Sequence, residues 1–379
     1  MKQLFRKYRL TFLQHLFPLL FLLLPPAPGH AQRVQDSPGK AQQAEQTTRV
    51  PKLCKEPTAN QPAIRAATEY LLTAQRQQNG NKLVRVYFHI CRNDDGLNAG
   101  ATLEQIESEF ADLIADFASA NICFANMGVD FIDDTPINTM LNPDIPATVV
   151  WLDPFLVPNC LNIFYHAALA SYGGNAYEIP NTFCSIANGN IGLWRTISHE
   201  VGHCLGLHHT FRTADGEGYI SGFECLLNGD LVCDTPADPY HGSDPCFIAS
   251  NCAYNGNCTD PADASNYSPP YFNIMSYWGS EGCDVDVISA GQYARANATL
   301  ETYAPLIGTL SSNALTYGPV SISSGYVLKS ACLDLSTAGS VVLTNSVEAC
   351  LQGENVTINP GFVALPTSGS ILLRSTQCQ

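Results

Sequence analysis

Basic side chains are scarce in this chain of 379 residues, which has 34 acidic groups, 19 basic groups and a formal net charge of −15. From Asn93 onward, five basic residues face 30 acidic ones. Such an acidic body repels phosphate backbones, which excludes nucleic-acid binding as a function. The acidity itself fits two roles equally well, the solubility of a secreted protein or the binding of cations.

Long apolar runs are also missing, because no segment reaches the roughly 20 apolar residues that a membrane-spanning helix needs. An apolar run at residues 17–24 follows Lys2 and Arg6, and Pro25 interrupts it. This pattern predicts a secretory signal peptide over residues 1–31, with a membrane anchor as the alternative. We therefore expect a soluble protein that is secreted to the extracellular space.

The fifteen cysteines include no C-x-x-C pair, so a zinc ribbon built from thiolates is not expected. Disulfides are the default for a secreted chain, and the odd count leaves at least one thiol without a partner inside the protein. Cys204 is the best candidate for this thiol, buried and inert. The disulfide pairing cannot be deduced from the sequence. A hydrophobic content of 45% in a chain of this length rules out a short disulfide-held peptide.

Changes in composition divide the chain into parts. Residues 32–81 are rich in Gln, Ala and Pro and weakly cationic, which fits either a pro-segment held by charge or a flexible linker. Residues 63–74 within this part predict a short helix. Residues 320–379 alternate apolar with small polar side chains, which predicts a separate, small all-β C-terminal domain. The end of this region resembles the stacked-strand tails of bacterial secreted proteins.

Residues 82–310 predict a mixed α/β fold. Residues 83–90 are rich in β-branched and aromatic side chains, which indicates a strand. Thr102 and Gln105 form a capping box at the start of an amphipathic helix over residues 102–120, with Leu113 and Ile114 among its apolar positions. Further strands are predicted at residues 122–132, 149–152 and 161–166, and further helices from about Leu193 and over residues 289–303. This order favours a mixed sheet with helices packed against it.

Four of the nine histidines fall in one stretch, HEVGHCLGLHH, which runs from His199 to His209. His199 and His203 are four residues apart, so on an α-helix they lie about 40° apart on one face and can bind one metal ion. Glu200 on the same helix can reach a metal-bound water without being a ligand, as a general base requires. Gly206 can end the helix, so that the chain turns and brings His209 back as a third ligand. Three histidine ligands leave one zinc position open, which is typical of catalytic zinc.

The same stretch matches the pattern H-E-x-x-H-x-x-G-x-x-H at every fixed position, and FNIMSY at residues 272–277 looks like a Met-turn. Together with GDLVCDTPADP at residues 229–239, these motifs resemble the metzincin zinc metallopeptidases, and among them the pappalysin or cytophagalysin type. The resemblance implies an α/β (α+β) catalytic domain over residues 82–310, with a mixed sheet, an active-site helix and a Met-turn.

The resemblance also implies a role for each motif residue. The three histidines would bind Zn²⁺, and Glu200 would polarise the zinc-bound water and later pass its proton to the leaving amine. Met275 would lie beneath the metal as an apolar floor. Tyr277 would donate a hydrogen bond to the tetrahedral oxyanion.

Three further functional assignments each have an alternative explanation. Asp230, Asp234 and Thr235 match positions that support calcium in relatives, although turn formation explains them equally well. Cys54 would cap the zinc as a latency thiolate of the pro-segment, or would pair in a disulfide. Residues 175–179 would form the edge strand to which an extended substrate peptide adds, or a plain edge strand.

We therefore predict a secreted zinc endopeptidase, made with a pro-segment, in which a zinc-bound water attacks the peptide bond and Glu200 is the general base. Its partners would be protein or peptide substrates, and we expect it to act as a monomer. One alternative is a metal-binding adhesion or matrix protein without catalysis. The other is a zinc amidase that acts on cell-wall peptides.

Overall fold

The computed structural model of the protein describes residues 57–73, 81–140, 150–170, 172–213, 218–239, 259–260, 264–278, 284–353, 355–367 and 371–375. The predicted signal peptide and Cys54 lie outside the described residues. Among the helices in these ranges, none has the length and apolar character needed to cross a membrane.

The described elements alternate between helices and strands, and they confirm the mixed α/β class. The helices are α1 Gln61–Thr73, α2 Leu103–Phe117, α3 Thr135–Asn138, α4 Thr196–Cys204, α5 Ala290–Thr302 and α6 Ala304–Ile307. The strands are β1 Thr58–Ala59, β2 Lys82–Arg92, β3 Ile122–Asp133, β4 Thr139–Met140, β5 Leu161–His166, β6 Ala168–Leu169, β7 Gly174–Asn175, β8 Glu178–Ile179, β9 Phe183–Ala187, β10 Leu310–Tyr317, β11 Val320–Thr337, β12 Val341–Gly353, β13 Asn355–Thr357, β14 Phe362–Pro366 and β15 Ile371–Ser375.

The central sheet has a parallel core and an antiparallel edge. Strand β2 pairs in parallel with β3 on one side and with β5 on the other, and β9 continues the sheet beyond β5. Strand β2 is buried along nearly its whole length, which explains its almost unbroken apolar sequence. Strand β7 closes the sheet antiparallel to β9, with Gly174 opposite Ile186. Helix α4 contacts β7, β8 and β9, so it lies beside this edge of the sheet.

Helix α2 covers the sheet and contacts α4. Its capping box forms as predicted, since the Thr102 hydroxyl accepts a hydrogen bond from the Gln105 backbone and the Gln105 side chain accepts one from the Thr102 backbone. Leu113 is completely buried, whereas Ile114 is 40% exposed. The apolar face of α2 is therefore narrower than the sequence pattern indicated.

Two predicted elements differ from the structure. The strand predicted at residues 149–152 is wrong, because residues 150–152 are helical and lead into a 3₁₀ turn at Asp153–Phe155. Val150 and Trp151 are 60% and 49% exposed, so this apolar run has no sheet surface to pack on, which a strand requires. The helix predicted from about Leu193 begins later, at Thr196, because Trp194 and Arg195 adopt positive φ values of 48° and 54°.

Part of the predicted pro-segment folds against the domain. Helix α1 agrees with the helix predicted there. It packs against α5, and Ala63, Ile64 and Ala67 are among its buried residues. Strand β1 pairs in parallel with β8, with Thr58 opposite Glu178. The predicted edge strand at residues 175–179 is thus two short strands, of which β7 pairs with β9 and β8 pairs with β1.

The C-terminal strands pair in parallel, β11 with β12 and β12 with β14. Val320 of β11 lies opposite Val341 of β12, which lies opposite Phe362 of β14, so successive strands are offset by 21 residues at this point and by 22 beyond the bulge in β11. Strand β10 joins this stack to the central sheet by antiparallel pairing with β2, where Leu310 lies opposite Val84. The predicted division into a domain at residues 82–310 and another at 320–379 stays a prediction.

The packing of α2 predicts different costs for two neighbouring substitutions. Leu113→Ala should lower the free energy of unfolding by about 2–5 kcal/mol, because it leaves a cavity in the core. Ile114→Ala, its control on the same helix, should change it by about 0.5 kcal/mol, because that side chain is largely solvated. Urea denaturation followed by circular dichroism measures both values, and equal losses would contradict the packing described for α2.

Candidate metal centre and active site

Three buried histidines converge on one point. His199 and His203 lie one turn apart on α4, and His209 returns to them after the turn at Gly206. The three Nε2 atoms are 3.0–3.1 Å apart, and the side chains are at most 5% exposed. Among the described His, Cys, Asp and Glu side chains, these three histidines have ligand atoms close enough together to hold a metal ion.

A glycine is needed where the chain turns back from α4. Gly206 has a φ of +88°, in the left-handed region that other residues adopt only at a cost. The backbone N–H of Leu207 donates to the Gly202 carbonyl at 2.9 Å, which closes the end of the helix. A Cβ added at Gly206 would meet the Thr299 hydroxyl of α5 at 2.4 Å. The turn that delivers His209 is thus set both by backbone conformation and by packing.

The histidine protonation pattern suits a cation. Nδ1 of His199 donates to the Ile274 carbonyl at 2.7 Å, and Nδ1 of His203 donates to the Leu207 carbonyl at 2.8 Å. Because a carbonyl oxygen only accepts, each Nδ1 carries the proton and each Nε2 keeps its lone pair for a metal. Tetrahedral zinc with bonds of about 2.0–2.1 Å would place its nitrogen ligands about 3.3 Å apart, close to the spacing seen here. The residues therefore fit zinc with one coordination position left for another ligand.

Glu200 lies on α4 between two of these histidines in sequence, and it is completely buried. Its side chain lies directly against edge strand β7, since a Cβ added at Gly174 would meet Glu200 Oε1 at 2.3 Å and Cγ at 2.6 Å. The predicted general base thus borders the strand at the edge of the sheet. The closeness of these two segments depends on the tertiary fold, so no local pattern in the sequence indicates it.

Met275 and Tyr277 also lie at this centre. Met275 is completely buried under α4, where a Cβ added at Gly202 would meet its sulfur at 2.7 Å. The Tyr277 ring lies 6.0 Å from the His199 ring and 4.7 Å from the His209 ring, measured between centroids. The structure therefore brings both residues of the predicted Met-turn to the histidine cluster.

An aromatic side chain that the sequence analysis did not single out also contacts the cluster. The Phe211 ring stacks on His209 at 4.9 Å with an angle of 9° between the planes, and lies 4.7 Å from the Tyr277 ring. Its position two residues after the third histidine is the signal that could have identified it.

Carboxylates of α2 hold the start of the active-site helix. Asp116 Oδ2 accepts a hydrogen bond from the Ser198 hydroxyl at 2.6 Å, next to His199, and burial raises the pKa of Asp116. Glu109 accepts hydrogen bonds from the Gly192 backbone N–H at 2.7 Å and from the Tyr165 hydroxyl at 3.3 Å. Burial raises the pKa of Glu109 to about 7. These partners are far apart in sequence, so no local pattern indicated them.

The three residues predicted to support calcium lie in the loop before α5. Both carboxylate oxygens of Asp230 lie 2.8–3.0 Å from the donating Thr235 hydroxyl, and burial raises the pKa of Asp230 to about 7. Asp234 accepts hydrogen bonds from the Ser289 hydroxyl at 2.6 Å and from the Gly291 backbone at 2.8 Å. These contacts tie the loop to the start of α5, and calcium binding there stays a prediction.

Among the described cysteines, one pair forms a disulfide and others remain thiols. Cys225 and Cys233 form a disulfide with a Cα–Cα distance of 4.9 Å, in the loop between α4 and α5. Cys204 is an unpaired, completely buried thiol that donates to the Phe183 carbonyl at 3.4 Å. The buried Cys91 and Cys160 form no disulfide either, so Cys204 is not singled out as the unpaired thiol.

No known protein-family model matches the chain. It is 27% identical over 209 residues to an extracellular metalloprotease of Colletotrichum graminicola, covering 51% of this chain and 68% of that protein. It is 27% identical over 238 residues to an extracellular metalloprotease of Podospora anserina, covering 58% and 74% of the two chains. A solved structure of a Tannerella forsythia promirolysin mutant is similar, with a TM-score of 0.47 and 18% identity over 67% of this chain and 95% of that one. The curated relatives confirm the predicted resemblance to metalloproteases and with it the enzyme class.

The raised pKa of Glu109 predicts how stability depends on pH. Folding shifts this pKa upward from its ordinary value of 4.5 to about 7, so between these values the folded protein keeps a proton that the unfolded chain has released. The contribution of Glu109 to the free energy of unfolding is therefore fully present below about pH 4.5 and is lost as the pH rises through about 7. From pH 5 to pH 8, the free energy of unfolding of the wild type should fall relative to Glu109→Gln by up to about 3 kcal/mol.

Urea denaturation at the two pH values measures this difference. Glu107→Gln removes an exposed carboxylate from the same helix and serves as the control, which should follow the wild type at both pH values. A wild type and a Glu109→Gln variant with parallel pH profiles would show that Glu109 is not protonated by burial.

Proposed function

We propose that the protein is a secreted zinc endopeptidase that hydrolyses peptide bonds of proteins, with Glu200 as the general base. The observation that carries this proposal is the convergence of three buried histidine Nε2 atoms beside the buried Glu200. The names of the curated relatives support it. A zinc ion held by His199, His203 and His209 would polarise the scissile carbonyl and lower the pKa of water to about 7.

The residues of the chain supply the proton transfers and the binding of charge. Glu200 takes a proton from the attacking water and passes it to the nitrogen of the leaving amine. Its complete burial strengthens its electrostatic interactions, because the surroundings screen charge less than water does. The Tyr277 hydroxyl donates a hydrogen bond to the oxygen of the scissile carbonyl as negative charge develops there.

An extended substrate would bind at the edge of the sheet. Strand β7 is the antiparallel edge strand, and it lies directly against Glu200. Peptides commonly add to such an edge through backbone hydrogen bonds. Addition to β7 would bring a peptide bond of the substrate next to Glu200.

Replacing the general base tests the proposal. Glu200→Gln should lower the rate of casein cleavage at least about 100-fold, because an amide of the same size accepts no proton. The variant should still bind one zinc ion per chain by metal analysis, since Glu200 is not a ligand. Glu224→Gln, which removes an exposed carboxylate from the loop between α4 and α5, should cleave like the wild type.

Three results would count against the proposal. A wild type with zinc that cleaves neither casein nor gelatin would favour the adhesion or matrix protein, and cleavage of wall fragments alone would favour the amidase. A Glu200→Gln variant as active as the wild type would remove Glu200 from the mechanism. A chelator should abolish cleavage by the wild type, and added zinc should restore it.

We further propose that the pro-segment keeps the enzyme latent through the Cys54 thiolate. The support is the binding of residues 57–73, which follow Cys54, to β8 and α5. A Cys54→Ser precursor should then cleave a peptide substrate before any processing, at a rate at least about tenfold above the unprocessed wild type, because a hydroxyl is a much weaker metal ligand than a thiolate. Equal latency of the two precursors would favour the disulfide alternative for Cys54.

A further inference from the structure

One buried carboxylate joins the two segments that form one wall of the histidine centre. Asp238 is 8% exposed, and its Oδ2 accepts a hydrogen bond from the Thr210 hydroxyl at 2.6 Å. The Trp278 indole N–H donates to the same carboxylate, with Nε1 3.2 Å from Oδ1 and 3.3 Å from Oδ2. Thr210 directly follows His209, and Trp278 directly follows Tyr277. The carboxylate therefore spans from the third histidine to the predicted oxyanion tyrosine.

The loop that presents Asp238 is held in place from another side. Arg295 of α5 donates to the Leu231 carbonyl at 3.3 Å and to the Gly206 carbonyl at 3.0 Å. Asp234 in the same loop is bonded to the start of α5. Asp238 thus extends from a loop that α5 anchors, and the same helix secures the turn that delivers His209.

The Met-turn and the His209 segment also meet through their backbones. The Thr210 N–H donates to the Met275 carbonyl at 3.2 Å. This bond sets the distance between the segments at one point, and a second point is needed to stop one segment from rotating relative to the other. The Asp238 carboxylate provides that second point on the far side of Tyr277, at Trp278.

We infer that Asp238 is a positioning residue, which holds the Tyr277 hydroxyl at a set place relative to the histidine cluster. This inference rests on the proposed function, in which Tyr277 donates to the oxyanion. Thr210 and Trp278 both donate to Asp238, and the indole N–H of Trp278 can only donate. Asparagine keeps the size of the side chain but removes its charge, so both hydrogen bonds lose their charge assistance and only its Oδ1 can still accept from Trp278.

The expected kinetic effect falls on turnover. Asp238→Asn should lower kcat about 10- to 100-fold, the loss expected when a group that stabilises the transition state is misplaced by about 1 Å. The KM for an internally quenched peptide should change less than about threefold, because Tyr277 binds the transition state more than the substrate. The zinc content should be unchanged. Asp260→Asn is the matched control, since it removes a carboxylate that is 1% exposed and accepts a hydrogen bond from the Ile220 backbone.

A double-mutant cycle separates positioning from a general structural role. With Tyr277→Phe as the background, Asp238→Asn should cost less than about a further threefold in kcat, because the hydroxyl that it positions is already gone. Losses that multiply in full would overturn the inference. If Asp238→Asn does not fold or loses zinc, Thr210→Val and Trp278→Phe each remove one donor, and the same cycle with these variants decides the question.

A measurement that does not depend on catalysis can test the positioning role of Asp238 separately from the proposed function. In protein with ¹³C-labelled tyrosine, the ring resonance of Tyr277 can be assigned by its loss in Tyr277→Phe. We expect Asp238→Asn to shift or broaden this resonance and Asp260→Asn to leave it unchanged. An unaltered resonance in Asp238→Asn would refute the positioning role, whether or not the wild type cleaves peptides. A wild type that cleaves nothing, with the resonance shifted as expected, would refute the proposed function alone.

Discussion

Three imidazole nitrogens converge on one point, and those of His199 and His203 direct lone pairs there. Two such lone pairs repel each other unless a positive charge lies between them, and this constraint shapes the rest of the site. The Nε2 atoms are only 3.0–3.1 Å apart and are shielded from water. Backbone carbonyls bind the Nδ1 protons of His199 and His203, so neither ring can turn its N–H group inward without losing a buried hydrogen bond. The fold thus keeps an arrangement that a bound metal ion would stabilise.

Keeping that arrangement requires support from several directions. Carboxylates of α2 bind the start of α4, Gly206 and α5 secure the return to His209, and Met275 fills the space under the helix. Asp238 joins the third histidine segment to the Met-turn. The hydrogen bonds of these carboxylates lie in buried surroundings, where they are stronger than in water.

Local signals in the sequence predicted the elements and the histidine cluster well. The capping boxes of α2 and α5, the strand at Leu161–His166 and the turn at Gly206 each depend on residues close together in the chain. These local signals gave the wrong element where tertiary packing determines the secondary structure. At residues 150–152 an apolar run is helical because it does not pack in a sheet. The partners of Asp116 and Asp238 lie 82 and up to 40 residues away, so their roles became visible only in three dimensions.

In the proposed enzyme, three histidine nitrogens bind one zinc ion that retains a position for a non-protein ligand. X-ray absorption spectroscopy at the zinc edge of the mature protein measures this coordination. We expect three nitrogen neighbours at about 2.0–2.1 Å and one oxygen neighbour that a small inhibitor can replace. A sulfur neighbour at about 2.3 Å in the mature protein, or a fourth histidine nitrogen, would contradict it, since such a site is closed to water.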